Sequence, residues 1–169
     1  MDNIVLIGMP GCGKSTIGVQ LAKLTGYGCL DSDIMIQTHE GKLISELIES
    51  VGSWGFNKIE EDLNATIDVH HTVIATGGSI IYGEKAMHHL GKIGTVVYLS
   101  LPIPLLEQRF REDDKADIST DRDKDIRTIY ENRRELYEKY ADLQVEVGDV
   151  DDRQAAKRIA GILKERGVL

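Results

Sequence analysis

The chain has 169 residues, of which 41% are hydrophobic and 28% are charged, and its formal net charge is −8. This length suits one domain with one sizeable core, and the negative charge argues against non-specific binding to nucleic acid or to an anionic membrane surface. No apolar run approaches the roughly 20 residues that a membrane-spanning helix needs. We expect a cytoplasmic protein, because there is no signal-peptide pattern and Cys12 and Cys29 suggest no disulfide framework.

Short apolar runs rich in β-branched residues alternate with stretches of helical spacing along the chain. Such alternation predicts an α/β fold with a parallel sheet covered by helices on both faces. Ligands of these sheets bind beyond the carboxyl ends of the strands. The helical patterns span residues 43–51, 56–67, 126–140 and 155–163, and the predicted strands are Asn3–Ile7, Gly28–Leu30, Thr72–Ala75, Thr95–Ser100 and Gln144–Val147.

The most specific motif follows the first predicted strand. Residues 8–15, GMPGCGKS, fit the pattern G-x-x-x-x-G-K-[ST], and an amphipathic pattern follows them. Glycines allow successive N–H groups to point at phosphate oxygens, and the helix that begins near Lys14 adds its positive end. We therefore expect Lys14 to reach the β- and γ-phosphates of ATP and the Ser15 hydroxyl to ligate Mg²⁺. The other predicted ATP-binding residues are Gly11, Cys12, Gly13 and Thr16.

Two acidic residues, Asp31 and Asp33, follow the second predicted strand. Carboxylates one residue apart project to the same side of an extended chain. This arrangement suits one acid on the water shell of Mg²⁺ and the other on a substrate hydroxyl. The structural alternative is a helix cap, formed by Ser32 or Asp33.

Paired glycines, Gly77 and Gly78, follow the third predicted strand between Thr76 and Ser79. Glycines at this place allow a ligand to approach the backbone closely. A tight turn between a strand and a helix is the alternative explanation.

One arginine, Arg133, shares a helical stripe with Ile126, Tyr130 and Tyr137. A guanidinium among apolar neighbours needs an anion, which is either a protein acid or a ligand. Glu60 lies on a comparable stripe, so an ion pair between Glu60 and Arg133 is the structural alternative to ligand binding.

The segment 111–125, REDDKADISTDRDKD, is almost entirely polar and has little periodicity. A solvated loop would have this composition. A polar loop of this length in a compact domain is also typical of a lid over an active site.

In this order, the motifs resemble those of the shikimate kinase family. The resemblance covers the chain from Ile4 to about Val147 and rests on the P-loop, Asp-x-Asp, Phe-x-x-x-Glu, Gly-Gly and Arg-x-x-x-Tyr. It implies a three-layer P-loop kinase fold like that of nucleoside-monophosphate kinases, with a five-stranded parallel sheet. It also implies one domain over residues 1–169, a lid at about 111–125 and a substrate-binding helical segment at about 33–62.

The resemblance implies a role for each matching residue. Lys14 and Ser15 hold ATP and Mg²⁺, with Asp31 on the Mg²⁺ side. Asp33 holds the substrate hydroxyls and takes the proton during transfer, and Arg133 binds the substrate carboxylate, so that Lys14, Asp33 and Arg133 are the catalytic residues. The remaining implied contacts are those of Gly77 and Gly78 with the substrate and of Arg109 with the adenine.

Three features differ from the family pattern. Asn57 stands where the family has an arginine that clamps the shikimate carboxylate, and we place Asn57 in the substrate site. Ser79 replaces the third glycine of Gly-Gly-Gly. The family's lid sequence, Arg-Pro-Leu-Leu, has its nearest match at residues 115–118, KADI, with Arg111 and Arg122 as the nearby arginines.

The leading prediction is an enzyme that uses ATP and Mg²⁺ to phosphorylate a small hydroxylated molecule, with shikimate as the best single acceptor. The alternatives are a kinase for another hydroxy acid, amino alcohol or polyol, gluconate-like or homoserine-like, and a nucleotide-binding regulator without turnover. A nucleoside-monophosphate kinase is disfavoured because no arginine lies between Asp31 and Thr76, and a GTPase because N-K-x-D is absent. We expect no nucleic-acid or membrane partner, and the sequence leaves a monomer and a small homo-oligomer equally open.

Overall fold

The computed structural model describes residues 2–112 and 125–169. The segment predicted to be a lid lies largely outside the described residues, and its role remains a prediction. Among the described residues, no helix combines the length and the apolar character needed to cross a bilayer. In chain order the elements are β1 Asn3–Ile7, α1 Lys14–Thr25, β2 Gly28–Asp31, α2 Ser32–Glu40, α3 Ile44–Asn64, β3 Thr72–Ala75, a 3₁₀ helix Ile80–Tyr82, α4 Glu84–Ile93, β4 Gly94–Ser100, α5 Ile103–Glu112, α6 Ile126–Tyr140, β5 Leu143–Glu146 and α7 Asp152–Glu165.

The strands form one five-stranded sheet in the order β2-β3-β1-β4-β5. Every neighbouring pair is parallel, with Ile4 opposite Val73 in β3 and Thr95 in β4. The predicted parallel sheet is therefore confirmed. Strand β1 lies between strands that come later in the chain, so the crevice beyond its carboxyl end is the expected ligand site of this topology.

The predicted strand positions agree with the structure to within one residue at each end. Strands β1 and β3 match their predicted bounds, and β5 begins at Leu143 rather than Gln144. The helical patterns did not reveal α2, α4 or α5. These helices have nine or ten residues each, a length at which tertiary packing contributes more than local propensity.

Helices cover both faces of the sheet. Every residue of β1 and of β3 is buried, whichever face its side chain points to, as expected for parallel strands between two helical layers. Helix α1 packs against β1, β3 and α7, whereas α4 packs against β1, β4 and α3. The main core lies in these two interfaces.

A smaller apolar cluster joins α2 to α3. Helix α3 is interrupted at Gly52, whose φ of 74° and ψ of 173° are not helical. Glycine suits this position because a side chain disfavours positive φ. The break explains why the sequence shows two separate helical patterns in this region. The cluster consists of Ile36, Ile44, Leu47, Ile48 and Phe56.

The start of β1 is held by one buried amide, that of Asn3, which is 1% exposed. Its Nδ2 donates to the carbonyl oxygens of Val69 at 2.7 Å and Ile93 at 2.9 Å. Its Oδ1 accepts a hydrogen bond from the backbone N–H of Thr72 at 3.0 Å. A single side chain thus ties together the chain segments that lead into β1, β3 and β4.

We expect Asn3→Ala to lower the free energy of unfolding by about 2–4 kcal/mol, because it leaves buried backbone groups without hydrogen bonds. Urea denaturation followed by circular dichroism measures this change. The matched control is Asn132→Ala, at an exposed position of α6, which should change stability by less than about 0.5 kcal/mol. Equal effects of the two substitutions would contradict the role given to Asn3.

Candidate active site

The phosphate loop follows β1 and passes very close to β4. A Cβ atom on Gly8 would lie 2.6 Å from the carbonyl oxygen of Leu99 and 2.9 Å from Cys12 Sγ, and the φ of Gly8 is 148°. Only glycine fits such an approach without displacing backbone. Lys14 Nζ donates to the carbonyl oxygens of Gly8 at 2.8 Å and Met9 at 3.0 Å, so its ammonium group lies inside the loop.

Two other predicted nucleotide ligands also contact the loop. Thr16 Oγ1 donates to the carbonyl oxygen of Gly13 at 3.1 Å. Arg109 Nη1 donates to the carbonyl oxygen of Gly11 at 3.1 Å. The structure thus places Arg109 beside the phosphate loop, although the two residues are 98 positions apart in the chain.

The Ser15 hydroxyl donates to Asp31 Oδ2 at 2.6 Å, which brings the two predicted Mg²⁺ ligands together. The other carboxylate oxygen of Asp31 caps α2, accepting from the N–H groups of Asp33 at 3.0 Å and Ile34 at 3.3 Å. The residue that caps α2 is therefore Asp31. The predicted cap, Ser32 or Asp33, is wrong. The paired oxygens of Ser15 and Asp31 are hard donors of the kind that Mg²⁺ prefers.

Asp33 faces a different cavity from Asp31. Because the helix begins at Ser32, the chain is not extended here, and the expectation that both carboxylates project together is wrong. Asp31 borders a groove together with Ser15 and Thr16. Asp33 borders a second cavity, on the side of the glycine pair after β3.

This second cavity, the acceptor cavity, brings together most of the predicted substrate ligands. Its volume of about 30 Å³ has room for about one water molecule. In this structure the cavity is smaller than a sugar-sized acceptor. The lining residues come from the phosphate loop, α2, α3, the loop after β3, and α6: Pro10, Asp33, Ile44, Phe56, Glu60, Gly77, Gly78, Ser79 and Arg133.

The glycine pair allows the walls of this cavity to approach each other. A Cβ atom on Gly77 would collide with Glu60 Oε1 and would lie 3.0 Å from Asp33 Oδ1. A Cβ atom on Gly78 would lie 2.9 Å from Pro10 Cδ and 3.2 Å from Arg133 Nη1. The close-approach explanation for the two glycines is thus the one that the geometry supports.

Arg133 is 1% exposed and is the largest fully buried side chain among the described residues. Its guanidinium carbon lies 5.4 Å from the centre of the Tyr82 ring, a cation–π distance. Burial acts to lower the pKa of Arg133, but Tyr137 and Tyr82 outweigh it and the pKa is raised. Tyr137 also donates to the carbonyl oxygen of Gly78 at 2.7 Å, which fixes α6 against the cavity.

Glu60 is a buried carboxyl group in the wall of the acceptor cavity. It is 1% exposed, and its Oε2 accepts a hydrogen bond from Ser79 Oγ at 2.6 Å. The pKa of Glu60 is raised to about 7. Burial is the main cause and the charge of Asp33 adds to it, while the Ser79 hydrogen bond and the charges of Arg133 and Lys14 act to lower the pKa. Only the apolar stripe around Glu60 signalled its burial, and nothing in the sequence linked it to Ser79.

Asn57 lies on α3, one turn before Glu60, but does not line the acceptor cavity. Its Oδ1 is buried and makes no hydrogen bond to any residue that the structure describes. The neighbouring Lys58 pairs with Asp62 at 3.1 Å on the exposed side of the helix. The direct contact of Asn57 with a substrate therefore remains a prediction.

The raised pKa of Glu60 makes stability depend on pH. The unfolded carboxyl group loses its proton near pH 4.5 and the folded one near pH 7, so raising the pH across this window favours unfolding. Above pH 7 the free energy of unfolding is lower by about 3 kcal/mol than below pH 4.5, at about 1.4 kcal/mol for each unit by which the pKa is raised. Glutamine does not ionise, so we expect Glu60→Gln to lack this loss of stability. Relative to the wild type, the variant should become more stable as the pH rises from 4.5 to 8.

Urea denaturation at several pH values measures this difference. The matched control is Glu61→Gln on the same helix, where the native side chain accepts a hydrogen bond from the Lys85 N–H at 2.9 Å. This control should follow the wild-type pH dependence. If the curves for Glu60→Gln and the wild type run parallel from pH 4.5 to 8, the carboxyl group does not titrate as described.

Comparison with known proteins identifies the family of this chain. The sequence profile of the family "Shikimate kinase" matches residues 10–164. Shikimate kinase from Clostridium botulinum (strain 657 / Type Ba4) is 38% identical over 143 residues, which cover 82% of this chain and 84% of that protein. Shikimate kinase 2 from Salmonella paratyphi B is 32% identical over 146 residues, which cover 83% of this chain and 81% of that protein.

Solved structures show the same fold. The structure of shikimate kinase from Acinetobacter baumannii in complex with shikimate matches with a TM-score of 0.85 and 30% identity, over 98% of this chain and 94% of that one. Shikimate kinase from Aquifex aeolicus matches with a TM-score of 0.74 and 27% identity, over 98% of each chain. The predicted fold class and family resemblance are thus confirmed, and this chain belongs to the shikimate kinase family.

Proposed function

We propose that this chain transfers the γ-phosphoryl group of ATP to a hydroxyl group of shikimate, giving ADP and shikimate 3-phosphate. One observation carries the proposal: Asp33, the glycine pair and Arg133 line a single cavity whose wall includes Pro10 of the phosphate loop. An acid for a hydroxyl group and a cation for a carboxylate therefore lie next to the site for the transferred phosphate. The Acinetobacter baumannii relative, whose structure contains shikimate, supports this acceptor.

In the proposed reaction, catalysis consists mainly of positioning and charge neutralisation. Asp33 holds the acceptor hydroxyl and takes its proton as the oxygen forms a bond to the γ-phosphorus. The bond between that phosphorus and the leaving oxygen of ADP breaks, and Lys14 stabilises the charge on the phosphates. Arg133 holds the acceptor carboxylate with charge-assisted hydrogen bonds.

Ser15 and Asp31 are the residues that would hold Mg²⁺. Their oxygens lie 2.6 Å apart at the mouth of the phosphate loop, and both are of the hard type that this ion takes. When bound, Mg²⁺ neutralises charge on the phosphates. Of the other predicted nucleotide ligands, Gly11, Cys12, Gly13 and Thr16 form or adjoin the phosphate loop. We propose that the Arg109 side chain lies beside the adenine of the bound nucleotide.

We further propose that residues 1–169 act as one catalytic domain of the cytoplasm, with a lid near residues 111–125. The segment at about 33–62 would be the part that carries the acceptor site. Its small apolar cluster, which includes Ile44 and Phe56 beside the acceptor cavity, is distinct from the main core. Because this cluster is separate from the main core, we expect that the segment can move relative to the sheet when an acceptor enters.

The test of the function is a coupled assay of ADP release with shikimate, gluconate and homoserine as separate acceptors. Turnover of shikimate with little turnover of the other two is the expected result. Turnover of gluconate or homoserine without shikimate would overturn the proposed acceptor. ATP binding without turnover of any of them would favour a nucleotide-binding regulator.

We expect Asp33→Ala to lower kcat with shikimate by about 10²–10⁴-fold, because it removes the group that orients the hydroxyl and takes its proton. Binding of an ATP analogue, measured by calorimetry, should change little, since Asp33 lies in the acceptor cavity. Asp68→Ala, at an exposed position after α3, is the matched control and should keep wild-type kcat. Activity retained in Asp33→Ala would show that another group accepts the proton.

A further inference from the structure

The acceptor cavity contains one polar atom whose hydrogen bonding is incomplete. Glu60 Oε1 is buried and makes no hydrogen bond to any described residue. It adjoins Gly77 so closely that a Cβ atom there would collide with it, and Glu60 lines the cavity. A buried carboxylate oxygen without a hydrogen-bond partner costs free energy. A ligand bound in this cavity could supply that partner.

Two of the positions where this chain departs from the family pattern are close to this carboxyl group. Ser79 donates to its other oxygen, Oε2, at 2.6 Å. Asn57 precedes it by three residues on α3, and side chains three apart are neighbours on a helix. Asn57 is neutral, so α3 supplies no cation one turn from Glu60 that would hold it in the ionised form.

Burial and the neighbouring carboxylate of Asp33 disfavour the ionised form of Glu60, whereas nearby cations favour it. Asp33 on α2 contributes a second negative charge, while the positive charges that act on Glu60 are those of Arg133 on α6 and Lys14 at the start of α1. From α4, Lys85 points to Asp62 at 3.3 Å on the exposed side of α3. Among the described residues that line the cavity, Asp33 and Glu60 are acidic and Arg133 is the one cation. An acceptor carboxylate would add a third negative charge to this set.

We propose that Glu60 is a specificity-determining residue that holds a proton in the acceptor complex and donates a hydrogen bond from Oε1 to the bound hydroxy acid. This inference rests on the proposed function. With Glu60 neutral, the positive charge of Arg133 balances the acceptor carboxylate rather than a second acidic side chain. A protonated Glu60 does not repel the carboxylate of an anionic acceptor, whereas an ionised Glu60 would.

A linkage between protons and binding follows. In the free protein the pKa of Glu60 is raised to about 7 by burial, and a nearby anion raises it further. At pH 8 most of the free protein is ionised at Glu60, so shikimate binding takes up about one proton. At pH 5.5 Glu60 is already neutral and binding takes up almost none.

The experiment is calorimetric titration of shikimate into the full chain, with Mg²⁺ and a non-hydrolysable ATP analogue present. Titrations in buffers of different ionisation enthalpy give the number of protons taken up. We expect about one proton at pH 8 and almost none at pH 5.5 for the wild type. Over pH 7–9 the KM for shikimate should rise by up to about tenfold per pH unit.

Glu60→Gln is the informative variant, because the glutamine amide is always neutral and can still donate. It should take up no proton at pH 8, and its KM should stay nearly constant over the same pH range. Glu61→Gln is the matched control and should behave as the wild type. If Glu60→Gln does not fold, Ser79→Ala serves instead: it removes a hydrogen bond to the ionised form, so the rise in KM should move to higher pH.

The outcomes separate the two proposals. Wild-type protein that neither binds nor phosphorylates shikimate overturns the proposed function and, with it, the role of Glu60. Binding without proton uptake at pH 8 overturns the role of Glu60 alone. Equal proton uptake by the wild type and by Glu60→Gln on shikimate binding assigns the proton to another group, such as Asp33. That outcome also overturns the role of Glu60.

Discussion

Strand β1 pairs in parallel with β3 on one side and with β4 on the other, and the candidate site depends on this pairing. Parallel strands end at the same edge of a sheet, so the phosphate loop after β1 and the glycine pair after β3 lie side by side. Asp31, at the end of β2, meets the same edge one strand further out. Residues that are 20 to 70 positions apart in the chain therefore form a single crevice, as this topology requires.

Within that crevice, the phosphate side and the acceptor side are built differently. The phosphate side is mainly backbone, and Lys14 and Ser15 already have partners in carbonyl groups and in Asp31. The acceptor side is made of buried charged side chains around very little space, about 30 Å³. Charges in such surroundings interact more strongly than at the surface, and an imbalance among them is costly. The acceptor side is thus where small sequence changes have large electrostatic effects.

Family membership and local divergence are compatible for this reason. The sheet, the phosphate loop, Asp33 and the Arg133 helix preserve the framework that the family shares, at 30% identity to a structure that contains shikimate. The departures at Asn57 and Ser79 change neither the fold nor the phosphate loop. Both positions lie close to one buried carboxyl group, that of Glu60, on which Ser79 acts directly. A change in the charge of that group would leave the framework intact while altering how an acidic acceptor is held.

The sequence by itself determined the class of fold, the strands to within about one residue, the phosphate loop and most of the residues that gather at the site, because these depend on local periodicity and on spacing within short motifs. Its helical periodicity did not mark the short helices α2, α4 and α5, whose stability comes from packing, although a helix cap near Ser32 was one of the predictions. Nor did it show that Asp31 caps α2, so that Asp31 and Asp33 face different cavities. The contact of Ser79 with Glu60 and the raised pKa of Glu60 were decided only by the tertiary structure, since hydrogen bonding and desolvation depend on which segments fold against one another.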